Sequence, residues 1–370
     1  MTETLPRNEA PLRTQARLPL ADPEAMIEAL CARLAEHGTL ARTPSATAFE
    51  SPFGRAELRA GAGRLDLLVE AADSTRLYVV RNALAEQLAS LAGDALPSLH
   101  WSGDGAAGIP FFRVMTVADV YPLTPRMRRV RLAGDAAHFT GGTGIHARLL
   151  LPQAGRAPVW PQAAPDGRTL WPAGADTLAS RVYTLRRIDP AAGTLDIDMV
   201  LHEEDGPARP APGAHFALNA RPGDPVGLMG PGGTDLPEAD WYLLAGDETA
   251  LPAIARTLET LPAGTPAFVF IEVADDAERQ EIAAAASSRI AWLTRDGAPA
   301  GTTDLLERAL RAMEWPAHGC GHAMVGCEQG AARAIRHFLR RERGMSGRAA
   351  EVAAYWRRGV CGDAGPERDG

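Results

Sequence analysis

Between Arg181 and Arg187 the chain reads RVYTLRR, an alternating stretch with three groups suited to holding one ligand. An arginine grips phosphate by paired hydrogen bonds, a tyrosine ring stacks on a flat heterocycle, and a threonine hydroxyl donates to a ring nitrogen. Strand alternation puts Arg181 and Tyr183 on one face and Thr184 one step away. The set suits the phosphate and the isoalloxazine of a flavin. Taken alone it suits an edge strand with solvated arginines as well, so its context has to decide.

Downstream, VLHEEDGPA supplies His202 and then Gly206, Pro207 and Ala208, and RPGDPVGLMGPGG adds Gly/Pro turns whose backbone N–H groups can approach a pyrophosphate. LLAGDETALPAI then places Gly246 to Thr249 at the carboxyl end of a strand and the start of a helix. Helix dipoles favour anions there, and α/β sheets bind ligands at that edge. The plain alternative is a capped strand-to-helix turn. Two further stretches are set aside. GTGIHA fits a GxGxxA pattern but leads into a strand with no helix after it. HGCGHAMVGC brings His318, Cys320, His322 and Cys327 close, but the spacing matches no CxxC pair and AMVGC reads as a buried strand.

These motifs need elements to position them, and three regions follow from the patterning. In residues 1–104, Asp22 and Pro23 open a helix with Ile27, Leu30, Cys31 and Leu34 on one face and Gly38 beyond it. Leu65, Leu67 and Val69 alternate as a strand, a second helix runs from about Asp73 to Gly93, and Leu99 and Trp101 mark a short strand. This predicts a small α+β module ended by the Gly-rich SGDGAAG. Residues 109–235 hold short strands broken by Pro and Gly, FFRVMTVADV, MRRVRLAG, HARLLLP, RVYTLRR, LDIDMVLH and DPVGLMG, which predict an antiparallel β-barrel. In the last pair of the RVYTLRR hairpin, Leu195, Ile197 and Met199 alternate with Asp196 and Asp198, the pattern of a sheet with one buried face. Residues 236–370 change to strand–helix–strand: WYLLAG, FVFIEV, RIAWLT and AMVGC with helices between or after them, a parallel α/β sheet.

Composition bounds the function. The 370 residues carry 38 basic residues, all arginine, against 46 acidic ones, a net charge of −8 that argues against a general nucleic-acid binder. The N-terminal MTETLPRNEAPLRTQ has no apolar signal region, and no apolar run nears the length of a membrane span, so a cytoplasmic protein without membrane insertion is expected. Four scattered cysteines do not suggest a disulfide framework.

In this order the motifs resemble the siderophore-interacting protein family, FAD-dependent ferric-siderophore reductases allied to the ferredoxin reductases. The resemblance runs from about Ile109 to Gly359 through LTPRMRRVRLAG, HARLLLP, RVYTLRR, DIDMVLH, GPA, PGDPVGLMGPGG, ADWYLLAGDETALPAIARTLETLP, FIEV, RAIRHFLRRERG and YWRRG. It implies that Arg181, Tyr183 and Thr184 hold FAD, with His202 and the Gly206, Pro207, Ala208 loop near its phosphates. Asp247, Glu248, Thr249 and Glu328 would lie at the NAD(P)H side, and Arg357 and Arg358 would draw an anionic ferric siderophore. The chain departs from the family pattern after GPA, where RPAPGAHFALNA is inserted and Phe216 stands for a usual tryptophan. The N-terminal module resembles a domain of unknown function joined to this family, SPFGRAEL being the best local match. The implied activity is reduction of ferric siderophores with electrons from NAD(P)H or ferredoxin. The other readings are a flavin-dependent reductase with a different acceptor and a non-enzymatic ferric-siderophore carrier, which would not need the RVYT set.

Overall fold

The computed structural model describes residues 10–93, 97–105, 107–201, 211–284 and 287–360. They fall into two compact units, Met1–Phe112 with Val159–Thr177, and Arg113–Pro158 with Leu178–Gly370.

The first unit contains β1 (Leu12–Pro19), α1 (Pro23–Leu34), β2 (Thr39–Arg42), β3 (Thr47–Ser51), β4 (Gly54–Gly61), β5 (Arg64–Ala71), α2 (Ser74–Ala92) and β6 (Trp101–Gly103). The strands form one antiparallel sheet in the order β2-β3-β4-β5-β1-β6. Both helices start as their sequences predict: Asp22 accepts from Ala25 N–H at 2.9 Å ahead of Pro23, and Asp73 accepts from Arg76 N–H at 2.8 Å. Their apolar stripes cover one face of the sheet, where Leu30, Leu58, Leu65 and Leu88 are fully buried. Each such side chain contributes about 1.5–3 kcal/mol of transfer free energy. The other face is left to cross-strand ion pairs such as Arg13–Glu70 at 2.6 Å and Arg17–Asp66 at 3.3 Å. Strand β1 has no counterpart in the sequence reading because its buried face is Thr14, Ala16 and Leu18, too small and too polar to stand out.

The second unit starts with β7 (Phe112–Thr124), whose first residue still belongs to the first unit, followed by β8 (Met127–Ala133) and β9 (His146–Leu151). The chain then leaves it. Val159–Thr177, with the two-residue strands β10 (Gln162–Ala163) and β11 (Thr169–Leu170), folds with the first unit. There the Thr169 hydroxyl donates to Asn82 Oδ1 at 3.0 Å and lies 2.9 Å from Tyr78 Oη, while Trp101 Nε1 donates to the Asp166 carbonyl at 2.8 Å. The chain re-enters as β12 (Ala179–Thr184) and continues through β13 (Arg187–Asp189), β14 (Thr194–Val200), α3 (Pro212–Asn219) and β15 (Pro225–Gly232). These strands make a barrel-like sheet in the order β12-β9-β15-β7-β8-β14-β13. The inserted RPAPGAHFALNA thus contributes a helix, α3, which the sequence reading does not anticipate.

Asp196 and Asp198 depart from the expected one-sided pattern. They point away from the barrel core as the alternation requires, yet are only 3% and 4% exposed. Register explains it: β14 pairs with β8 so that Asp196 faces Arg131 and Asp198 faces Arg129, and each guanidinium lies over its carboxylate at 2.8 and 2.6 Å.

The chain ends in β16 (Trp241–Gly246), α4 (Leu251–Thr260), β17 (Ala267–Val273), β18 (Ser288–Thr294), α5 (Leu305–Ala312), β19 (Gly321–Glu328), α6 (Gln329–His337) and β20 (Ala350–Trp356). The five strands are parallel, in the order β18-β17-β16-β19-β20. Helix α4 covers one face, and α5 and α6 the other. Because β16 has later strands on both sides, the crevice between the carboxyl ends of β16 and β19 is the topological switch point, where open α/β sheets bind ligands.

Candidate functional site

Two groups of residues meet within the second unit, one on β12 and one at the switch point. On β12, cross-strand pairing with β9 sets Arg181 opposite Leu149 and Tyr183 opposite Ala147, so both share the barrel-facing side. Thr184 is opposite His146 and is buried on the other face. Burial pushes the Tyr183 phenol up to about 12, with the nearby Arg181 charge acting weakly against it. The phenol oxygen occupies the place that a side chain on Gly213 would fill, at the first turn of α3. In that turn Pro212 has no N–H, and the first intrahelical bond runs from His215 N–H to the Ala211 carbonyl at 2.8 Å. The N–H groups of Gly213 and Ala214 therefore precede the intrahelical ladder, as at any helix start. Arg181 is half-buried and spends one contact on the Ser180 carbonyl, at 2.6 Å. An arginine with no carboxylate partner among the described residues, beside a tyrosine ring and a Cβ-free helix start, fits a phosphate-bearing flat ligand.

At the switch point Asp247 is the hub. Its carboxylate accepts from Thr249 N–H at 2.9 Å, Thr249 Oγ1 at 2.5 Å, Glu328 N–H at 3.2 Å and Trp356 Nε1 at 2.7 Å. Burial, and then the adjacent Glu248 charge, pushes this carboxyl above its ordinary range, while the hydrogen bonds pull the other way. Glu248 turns aside to Arg295, which it holds with two bonds at 3.0 and 2.6 Å, and Glu272 approaches the same guanidinium at 3.5 Å. Glu328 caps α6 and accepts from Arg358 N–H at 3.3 Å. The side chains of Arg357 and Arg358 are exposed. His202, Gly206, Pro207 and Ala208 lie outside the described residues.

The two groups are tied together. Arg256 of α4 donates to the Leu185 carbonyl just past β12, and Arg186 pairs with Glu259 of α4 at 2.6 Å. Tyr355 Oη lies 3.3 Å from His146 Nε2, with the rings edge to face at 6.0 Å. The Tyr355 ring in turn lies against Gly326, where an added Cβ would sit 2.7 Å from it. The contacts thus run from Thr184 through His146 and Tyr355 to the carboxyl ends of β20 and β16, where Trp356 meets Asp247. Sequence reasoning bets on the arginines of YWRRG and passes over Tyr355 and Trp356, which make the buried contacts. It also misses His146, Gly213 and Arg295. HARLLLP and YWRRG carry the signal for His146 and the aromatic pair, but nothing in the linear order brings them together.

His146 is half-buried and His322 buried, and burial lowers both below the ordinary histidine range; Glu351 opposes the shift at each, and Arg256 reinforces it at His146. A histidine lowered in the folded state binds fewer protons than in the unfolded chain, so its stability contribution is present above about pH 6.5 and is lost as pH falls. The urea midpoint is expected to drop between pH 7.5 and pH 5.5, and to drop less in His146→Gln. An unchanged pH slope in that variant would remove His146 from the account.

A barrel-like antiparallel sheet joined to a parallel sheet with its switch point beside β12 defines the two-domain flavoprotein class. The chain belongs to the siderophore-interacting protein family. The family's FAD-binding domain matches residues 116–235, the siderophore-interacting protein domain matches 239–359, and an uncharacterised bacterial domain (DUF2218) matches 15–102. The ferric vibriobactin reductase ViuB of Vibrio cholerae is 32% identical over 242 residues, covering 64% of this chain and 86% of that one. An uncharacterised protein of Mycobacterium tuberculosis is 38% identical over 190 residues, 48% of this chain and 65% of that one, so slightly under two thirds of that relative is spanned. Among solved structures, a siderophore utilization protein from T. fusca is 41% identical with a TM-score of 0.56, covering 67% of this chain and 94% of that one. The siderophore-interacting protein SipS from Aeromonas hydrophila is 28% identical with a TM-score of 0.56, covering 67% and 92%.

Proposed function

We propose that the protein is an FAD-dependent reductase of ferric siderophores that acts in the cytoplasm with NAD(P)H as electron donor. The observation that carries this reading is the tie between β12 and α4: the Arg181–Tyr183–Thr184 strand is anchored, through Leu185 and Arg186, to the helix that follows the switch point. Bound FAD supplies the conversion of a two-electron hydride into single electrons, which Fe(III) requires. The balance is one NAD(P)H and two Fe(III) giving NAD(P)+, one proton and two Fe(II).

The residues divide the work. Arg181 would hold phosphate, Tyr183 would stack on the ring system, the Thr184 hydroxyl would orient it, and the N–H groups of Gly213 and Ala214 would be further donors for the pyrophosphate. His202 and the Gly206, Pro207, Ala208 loop belong to the same end by resemblance. Asp247, Thr249 and Glu328 shape the nicotinamide side, with Glu248 held back by Arg295. Trp356 holds the Asp247 carboxylate in place, with Tyr355 next to it on the same strand. Arg357 and Arg358, both exposed, raise the local concentration of an anionic ferric chelate. Reduction then weakens the hold of hard oxygen ligands on iron. No described residue is needed as a general acid at the metal.

The test is anaerobic. The purified protein is expected to be yellow, to bleach with NADH, NADPH or reduced ferredoxin, and to regain its colour when a ferric siderophore is added, with Fe(II) trapped by a chromogenic chelator. A colourless protein that takes up no FAD would overturn the reading, and bleaching by ferredoxin alone would replace its donor. Reduced flavin indifferent to every ferric chelate would favour a reductase with another acceptor.

A further inference from the structure

We infer that the nicotinamide donor is NADH, and that the buried Glu248–Arg295–Glu272 triad, with the acidic turns around it, excludes the 2′-phosphate of NADPH. This rests on the proposed reductase reading. In a doubly wound sheet the dinucleotide lies along the carboxyl edge, and its adenosine ribose reaches the strands beyond the first one. There an acidic side chain accepts from a free 2′-hydroxyl, or an arginine accommodates a 2′-phosphate.

On that half of the edge the loops after β16, β17 and β18 offer two arginines. Arg279 pairs with Asp276 at 2.7 Å. Arg295 is turned inward: its side chain is 2% exposed, both terminal nitrogens are bonded to Glu248, and Glu272 lies on its flank. Meeting a phosphate would require Arg295 to abandon a buried bidentate pair and leave two carboxylates uncompensated. Apart from Arg279, the charged groups that the same edge presents to solvent are acidic. Asp275 and Asp276 follow β17, and Asp296 follows β18, all three exposed. Asp296 sits at φ 50°, and its N–H bond to the Ala274 carbonyl at 3.2 Å holds its backbone beside the end of β17. A dianionic phosphate brought to this surface meets like charge, and the exposed guanidinium on these loops, Arg279, is already paired with Asp276.

Two measurements decide it. Without flavin chemistry, calorimetry on the full-length protein should show ADP-ribose binding at least about tenfold more tightly than 2′-phospho-ADP-ribose at low ionic strength. With flavin, NADH should reduce the holoprotein faster than NADPH by a similar factor, and the gap should narrow in 0.5 M salt because exposed charges are screened. Asp276→Asn combined with Asp296→Asn should shrink the NADH-to-NADPH ratio about fivefold, the combined effect of removing two exposed like charges near the phosphate and freeing Arg279 from Asp276. Equal or better use of NADPH would overturn the inference and leave the reductase reading standing. A ratio unmoved by the double variant would overturn the charge argument. If neither fragment binds and neither nucleotide reduces the flavin, the donor half of the proposed function fails and this inference falls with it.

Discussion

Arg181→Ala is expected to purify as a folded protein that has lost its FAD. Arg181 contributes little to the fold: its one described hydrogen bond goes to the neighbouring Ser180 carbonyl, and the side chain is half-buried at the edge of the barrel sheet. Truncation there should change stability by no more than about 0.5 kcal/mol, as for most surface positions. Its loss to a bound phosphate is larger, because charge-assisted hydrogen bonds are worth about 1.5–3 kcal/mol each. A pair of them corresponds to a drop in FAD affinity on the order of a hundredfold or more. Flavin absorbance per protein and calorimetric titration with FAD would read it, and circular dichroism would check the fold. Full flavin occupancy in the variant would take phosphate binding away from Arg181.

Gly246→Ala should do the opposite and damage the fold and nucleotide binding together. Gly246 is the last residue of β16, paired with Gly326 of β19 at the switch point. A methyl group there would run into the Gly326 carbonyl and lie 2.5 Å from the Ala250 side chain just before α4. Neither obstacle is the tip of a flexible side chain, so strand and helix would have to move apart. Over-packing of this kind costs about 1–3 kcal/mol, and more when backbone must shift. At the upper figure the melting temperature should fall by roughly 6–12 °C. ADP-ribose binding should weaken as well, since Asp247 and Thr249 follow directly on the displaced residue. A variant with unchanged melting temperature and nucleotide affinity would mean that the close approach of β16, β19 and α4 has no role in either.

The parts of this architecture legible in the sequence are those whose physics is local. Asp22 with Pro23, and Asp73 with Gly93, mark helix ends because capping involves residues three apart. The strands of the parallel sheet stand out as continuous apolar runs because both of their faces are covered. Strand β20 is not legible because AEVAAYW is alanine-rich and reads no more like a strand than like a helix. Helix α3 is not legible because Ala211 offers no side-chain cap and Pro212–Gly213 looks like a turn. For the site, single motifs were visible and their partners were not. The sequence resemblance places both Asp247 and Glu328 at the nicotinamide side, yet their bond to one another, and that of Trp356 to Asp247, depends on strand order. Likewise the burial of Asp196 and Asp198 is set by which arginines β8 places opposite them, a matter of register rather than alternation.

The excursion Val159–Thr177 also bears on synthesis. The first unit is built from two stretches of chain separated by Arg113–Pro158, so the polypeptide passes from one unit to the other three times. On the ribosome the N-terminal sheet can form early, but Tyr78, Asn82 and Trp101 find their hydrogen-bonding partners only when residues 166–169 have emerged. By then β7, β8 and β9 have already been made and await the remaining strands of their own sheet. The two units therefore mature in an interleaved order rather than one after the other. A cut in the gene at the Gly-rich linker near residue 105 would not yield two intact products, since the C-terminal piece would carry off a segment that belongs to its neighbour.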